Sequence, residues 1–184
     1  AVIGRVTATS YFFLTKTFSI RDTNGTTKRT APMTRMYADP DAVAASAQYK
    51  KPIFIVDMGT STTVSVVGRD GSFLGGMIIP GLRVSVDALS AMASRLPLNI
   101  SLETPDKMIG TNTLSCMRSG VLYGAAAMLD GMLDRMEEEL GKRTTVVVTG
   151  GMAQFIAPLC RRKMMVEKDL LLKGLYAIYK KNKK

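Results

Sequence analysis

The sequence contains no histidine, and its only two cysteines, Cys116 and Cys160, do not form a C-x-x-C pair. The usual zinc sites of cysteine and histidine are therefore excluded, as is any histidine-dependent triad. Acid–base chemistry must then use carboxylates, lysine, tyrosine or cysteine. The sequence also lacks an apolar run long enough to span a membrane, and its first residues lack the pattern of a signal peptide. We therefore expect a cytoplasmic, globular protein with no membrane partner.

Acidic side chains are scarce, with 15 Asp and Glu against 25 Lys and Arg, which gives a net charge of +10. The excess lies at the two ends of the sequence. Residues 1–51 hold eight basic and three acidic residues, and four further lysines lie close to the end: Lys180, Lys181, Lys183 and Lys184. The part between is close to neutral and shows no basic groove with interleaved aromatic residues, so we do not expect a nucleic-acid partner.

The most informative stretch is a predicted strand that ends in a carboxylate. Ile53–Val56 is β-branched or aromatic throughout, which indicates a buried strand, and Asp57 follows at its C-terminal end. Gly59 exposes bare backbone and Thr60 offers a hydroxyl, before a second strand begins at Val64. Such a turn suits binding of phosphate and a cation. The alternative is an ordinary β-hairpin in which Asp and Gly only form the turn.

Two more strands are predicted. Phe73–Ile79 returns from a hairpin turn, and its paired glycines, Gly75 and Gly76, indicate close approach of another backbone or a ligand. Thr144–Thr149 is a second buried strand, followed by Gly150-Gly151 and a helix from about Ala153. A flat ring or a phosphate can lie on such bare backbone. The alternative is a tight strand-to-helix turn.

Four further helices are predicted, a short one from its alanine-rich composition and three from apolar residues at helical spacing. These cover Asp41–Tyr49, the stretch from Leu82 to Pro97, Val121–Gly141, and the stretch that follows Asp169. We expect the glutamates near the end of the third helix to be solvated: Glu137, Glu138 and Glu139. We expect these residues of the last helix to face inward: Leu171, Leu172, Leu175, Ile178 and Tyr179.

Taken in order, these pieces resemble the type III pantothenate kinases, a family of the actin-like ATPase superfamily. The resemblance runs from about Tyr37 onward. Its matching segments are Val56–Thr63, Gly75–Gly81, Ile109–Thr113 and Val148–Gly151, with Gly174-Leu175 near the end. Each segment alone is a weak signal, whereas the ordered set is specific.

The resemblance implies an α/β protein of the actin-like ATPase (ribonuclease H-like) fold, which has two similar domains. Residues 1–36 would form a partial first domain, and residues 37–184 the second. The family transfers the γ-phosphate of ATP to pantothenate, the first step towards coenzyme A. It acts as a homodimer with Mg²⁺ and a monovalent cation, K⁺ or NH₄⁺.

The resemblance also assigns roles to individual residues. Asp57 would bind the monovalent cation. The nucleotide would contact Thr60 with Gly59, and Gly150 with Gly151. Pantothenate would contact Tyr37 and Thr113.

The sequence departs from the family in two places. Residues 1–36 lack the family's Asp-x-Gly-Asn-Thr phosphate turn, and Pro40-Asp41 stands where the family has Gly-x-Asp-Arg, which carries the general base. The catalytic residue is therefore unknown, and we expect a longer polypeptide, with segments missing at both places. The main alternative is a non-catalytic binding or regulatory relative of the same fold. Another actin-like enzyme, such as a sugar kinase, fits the motifs less well.

Overall fold

A computed structural model describes residues 39–93, 95–97 and 100–183. The proposed first domain, residues 1–36, and the substrate contact expected at Tyr37 lie outside the described residues. The division into two domains stays a prediction.

The centre of the structure is a five-stranded mixed sheet in the order β3-β2-β1-β4-β5. Its strands are β1 (Ile53–Met58), β2 (Ser61–Val67), β3 (Phe73–Pro80), β4 (Thr145–Thr149) and β5 (Met165–Val166). β2 pairs antiparallel with β1 and β3, whereas β4 is parallel to both β1 and β5. The four strands predicted from the sequence are confirmed.

Helices cover both faces of the sheet, which explains why β1 is apolar on both sides. They are α1 (Pro40–Gln48), α2 (Leu82–Met92), α3 (Thr113–Leu140), α4 (Ala153–Ile156), which continues into a 3-10 turn (Ala157–Leu159), and α5 (Leu170–Asn182). On one face, Phe54 and Val56 belong to a core that includes Leu129 of α3. On the other face, Ile53 packs in a cluster with Ala42 of α1. None of the helices in the described residues is long and apolar enough to cross a membrane.

Two helix boundaries differ from the sequence prediction. α2 ends at Met92 rather than near Pro97, and Leu96 instead packs beside a small cluster of Val86, Ile100 and Met117. α3 begins at Thr113, two turns before the predicted start at Val121.

The early start of α3 is explained by a reciprocal cap at its N-terminus. The Asn112 side chain accepts a hydrogen bond from the Ser115 backbone N–H at 2.9 Å, while Ser115 Oγ accepts from the backbone N–H of Asn112 at 3.1 Å. This arrangement satisfies donors that have no partner within the helix. The signal lies in Asn112-x-x-Ser115, where serine replaces the more usual Glu or Gln.

The inward face predicted for α5 is wrong in part. The buried residues of this helix are Leu170 and Gly174, whereas Leu172, Leu175 and Tyr179 are exposed. The close approach is made by Gly174: a Cβ on this residue would lie 1.8 Å from the carbonyl oxygen of Pro40 at the start of α1. Backbone contact at a glycine, rather than the leucine pattern, therefore sets the orientation of α5.

The prediction of three solvated glutamates at the end of α3 is also wrong for Glu137. Its side chain is only 6% exposed, and its carboxylate accepts hydrogen bonds from two arginines and Thr144. Glu138 and Glu139 are exposed, as predicted.

Candidate functional site

Asp57 lies near the C-terminal end of the central strand β1. The strand register pairs it with Thr63 of β2 on one side and with Thr149 of β4 on the other. Because paired residues project to the same sheet face, both hydroxyls flank the carboxylate. Both threonines are buried. The sequence predicts hydroxyls that could bind an anion or a cation in the turn that includes Thr63, but it does not indicate Thr149, because only the pairing of β1 with the distant β4 brings this residue beside Asp57.

The hairpin tip beyond Asp57 consists of Gly59 and Thr60, and both residues are exposed. The Gly59 N–H donates to the carbonyl of Ser61, and the Gly81 N–H donates to the carbonyl of Thr60 at 3.2 Å. A Cβ on Gly81 would lie 2.2 Å from that same Thr60 oxygen. The segment after β3 therefore holds the tip in place and leaves the Thr60 side chain accessible.

Gly150 packs directly against Asp57. Its φ is +93°, and a Cβ there would lie 2.7 Å from both Asp57 Oδ1 and the backbone nitrogen of Met58. The N–H of Met152 also donates to the carbonyl of Met58 at 3.3 Å. Only glycine suits both the backbone angle and the space. Two segments that are nearly a hundred residues apart in the sequence thus form one site, with Gly151 exposed beside it.

Two further carboxylates approach Asp57 from the start of α1. Asp39 caps this helix: its Oδ1 accepts from the Asp41 N–H at 3.1 Å, and its Oδ2 accepts from Ser65 Oγ at 3.1 Å. Burial, followed by the charges of Asp39 and Asp57, raises the pKa of Asp41 to about 7. Burial and the charge of Asp39 also raise the pKa of Asp57. Burial and mutual repulsion among these carboxylates thus oppose the ionisation of Asp41 and Asp57.

These carboxylates fit a monovalent cation. Asp41 Oδ1 is buried and has no hydrogen-bond partner among the described residues. A cation beside Asp57 would offset both the burial and the mutual repulsion of the carboxylates. Within the same part of the chain, no group of three or more Asp, Glu, Cys or His is arranged to hold a metal ion. The side chains therefore do not form a closed multi-carboxylate centre.

Thr113 is exposed at the first position of α3. One turn later, α3 begins to line a cavity of about 630 Å³. The lining includes Cys116 and Gly120 from α3, and Met58 and Thr62 from the hairpin of β1 and β2. The N-terminal part of α3 and the strand ends beside Asp57 thus border the same cavity. Thr113 itself is not one of the residues that line this cavity, and its predicted contact with pantothenate stays a prediction.

Solved structures with a similar backbone identify the fold. An Alp12 filament structure matches 80% of this chain and 53% of its own, with a TM-score of 0.57 and 12% identity. A structure described as a Baf family transcriptional activator from Campylobacter jejuni matches 78% of this chain and 64% of its own, with a TM-score of 0.54 and 23% identity. The sheet order and these likenesses define an α/β protein of the actin-like ATPase fold, as the sequence predicted.

Sequence relatives then identify the family. A family model described as type III pantothenate kinase matches residues 35–135. Type III pantothenate kinase of Syntrophus aciditrophicus (strain SB) is 41% identical over 142 residues, and that of an Exiguobacterium species is 42% identical over 144 residues. The chain belongs to the type III pantothenate kinase family. It spans about half the length of these relatives, since the matches cover 77–78% of this chain but 56% of theirs.

Proposed function

We propose that this protein transfers the γ-phosphate of ATP to pantothenate and yields 4'-phosphopantothenate, the first step of coenzyme A biosynthesis. The observation that carries the proposal is the packing of Gly150 against Asp57 beside the exposed Thr60 tip. This contact supports the proposal because it brings together the two segments to which the family resemblance assigns the cation and the nucleotide.

In this proposal, each group at the site positions a substrate or balances charge. Thr60 and the backbone at Gly59 contact the ATP phosphates, and Gly150 with Gly151 provides bare backbone for the nucleotide. Phosphoryl transfer requires mainly alignment and charge stabilisation from a protein, so a site without histidine is adequate. Thr113 contacts pantothenate from the start of α3, and Tyr37 is proposed for the same substrate on the basis of family resemblance.

The cofactors follow from the electrostatics of the site. Asp57 would hold K⁺ or NH₄⁺, and Mg²⁺ would arrive with the ATP phosphates. When bound, these cations supply positive charge that offsets the repulsion between ATP and the carboxylates. Asp39 contributes indirectly, because its hydrogen bond with Ser65 fixes the start of α1 over β2.

A second candidate is a nucleotide-binding relative that does not catalyse transfer. It is favoured by one observation: the sequence around Pro40-Asp41 lacks the family's Gly-x-Asp-Arg motif. Of the two carboxylates present there, Asp39 is already engaged by donors from Asp41, Ala42 and Ser65. Both candidates predict nucleotide binding, and only the first predicts product.

The experiment is a direct assay of the purified chain with ATP, Mg²⁺, K⁺ and pantothenate. Mass spectrometry of the product detects 4'-phosphopantothenate, and calorimetry measures binding of ADP and of pantothenate separately. Product that increases with K⁺ supports the kinase. Binding of ADP without product supports the non-catalytic relative, and failure to bind either ligand overturns both.

We place the reaction in the cytoplasm, and the active form is proposed to be a homodimer.

A further inference from the structure

Glu137 is a buried carboxylate that lies away from the predicted site, in the last turn of α3. Its Oε1 accepts two hydrogen bonds from Thr144, one from the backbone N–H at 2.6 Å and one from Oγ1 at 2.8 Å. Thr144 is the residue immediately before β4. One oxygen of Glu137 therefore fixes the point at which the chain enters this strand.

The second oxygen of Glu137 binds a different part of the chain. Oε2 accepts from an Nη atom of Arg162 at 2.7 Å, and from Arg143 at 3.1 Å. Arg162 is only 15% exposed, whereas Arg143 is 87% exposed, so the pair with Arg162 is the more shielded of the two. Burial alone would raise the pKa of Glu137, but hydrogen bonds from Arg162 and Thr144 hold it below its usual range.

The neighbouring turns of α3 reinforce the anchor at Arg162. Asp134 accepts from Arg162 at 3.2 Å. Asp130 accepts from the backbone N–H of Arg161 at 2.7 Å and from that of Arg162 at 3.4 Å. Three acidic residues at successive turns of one helix thus hold the segment that follows the 3-10 turn.

The segment between the two anchors contains the nucleotide-side glycines. Residues 144–162 comprise β4, Gly150, Gly151, α4 and the 3-10 turn. One carboxylate therefore binds both ends of this segment, while its middle rests on Asp57 and Met58 through Gly150. We infer that Glu137 is a positioning residue: together with Arg162 it sets where the Gly150-Gly151 turn presents its backbone to the nucleotide. The inference rests on the proposed function, in which that turn binds ATP.

A purely structural role for Glu137 makes a different prediction. If the pair only stabilises the fold, its loss lowers the melting temperature and leaves the nucleotide affinity of the folded protein unchanged. If it positions the turn, the loss weakens nucleotide binding at temperatures where the variant is still folded. The two roles are thus separated by binding measured well below the melting temperature.

The test compares two variants with a matched control. In Glu137→Gln, the amide oxygen can still accept the hydrogen bonds from Thr144. The amide NH₂ group takes the place of the oxygen that accepts from Arg162, and it can only donate. Because this change removes the more shielded partner of Arg162 and leaves it only the exposed Asp134, Arg162→Lys is the milder second variant that retains the charge. Glu138→Gln removes the same charge from the adjacent, exposed glutamate.

We expect Glu137→Gln and Arg162→Lys to weaken ADP binding by about tenfold in calorimetry, equivalent to about 1.4 kcal/mol. The pantothenate affinity of these two variants should stay close to the wild-type value. The ADP affinity of the Glu138→Gln control should also be unchanged. In both variants, exchange of the backbone amide hydrogens should be faster than in the wild type at residues 150–159 and unchanged in β1 and β2. Unchanged ADP affinity in both folded variants, or equal acceleration throughout the molecule, would overturn the inference. Wild-type protein that binds no ADP would instead overturn the proposed function on which it rests.

Discussion

Asp57 is half-buried near the end of β1 and packs against Gly150, and we expect it to determine the response to monovalent cations. Asp57→Asn removes one charged oxygen ligand, worth roughly 1.5 kcal/mol or more, and should raise the K⁺ concentration for half-maximal activity by about tenfold. Steady-state assays over a K⁺ series measure this shift. The exposed Asp106→Asn variant serves as the control. An unaltered K⁺ requirement in Asp57→Asn would remove the assignment.

Thr113 should affect the acceptor and not the nucleotide. Its hydroxyl is exposed at the first position of α3, and the cap of that helix is made by Asn112, so Thr113→Val leaves the helix intact. Loss of one hydrogen bond to a polar substrate costs about 1–3 kcal/mol, so the KM for pantothenate should rise by about tenfold while that for ATP hardly changes. Thr111→Val is the matched control. The opposite pattern of KM values would place Thr113 on the nucleotide side.

The raised pKa of Asp41 should make the stability of the protein depend on pH. Its pKa is about 7 in the folded protein and near 3.8 in an unfolded chain, so the unfolded state loses its proton first as the pH rises. Its contribution to stability is therefore complete below about pH 4 and lost as the pH approaches 7. The asparagine of Asp41→Asn does not titrate. The free energy of unfolding of this variant should therefore exceed that of the wild type by an amount that grows as the pH rises through this window, to at most about 4 kcal/mol. Urea unfolding at several pH values, without K⁺ or NH₄⁺, tests this; a constant difference between the two proteins would contradict it.

At the level of elements, the contact between α5 and α1 depends on a single glycine. Gly174→Ala would place a methyl group 1.8 Å from the Pro40 oxygen, and the helices must separate to accommodate it. We expect a loss of about 1–3 kcal/mol in the free energy of unfolding. Gly131→Ala, at an exposed position of α3 with no atom within 4 Å of the new methyl, should instead gain roughly 0.5–1 kcal/mol. Equal effects of the two changes in urea unfolding would show that the contact is not tight.

At the level of the whole molecule, we expect a homodimer that forms through the α2 and α3 side. Large apolar side chains are exposed there: Leu89, Met92, Met108, Ile109 and Met128. Light scattering at micromolar concentration should give about twice the chain mass of 20.0 kDa. Met128→Glu should produce monomers, whereas Leu172→Glu, on the exposed side of α5, should not. A monomeric wild type, or dissociation caused by the α5 change, would refute this interface.

The sequence by itself determined four of the five strands, most of the helices and the family. Ile53–Met58 and Thr145–Thr149 form largely buried strands because their β-branched and aromatic residues, flanked by turn formers, favour that state. The turn after Asp57 and the close approach at the paired glycines of β3 follow from local residue types in the same way. At Gly76 the predicted close approach is a neighbouring backbone, since a Cβ there would lie 2.0 Å from the Val64 oxygen. All these features depend on residues close together in the chain.

Only the tertiary structure decided which distant residues meet. It paired Ser65 with Asp39, packed Gly150 against Asp57, and buried Glu137 with Arg162, although local patterning predicted that this glutamate would be solvated. It also oriented α5 through Gly174 instead of through its leucines. The physical reason is that burial and the pKa of a side chain depend on neighbours from other elements, whose register is set by packing of the whole sheet and its helices.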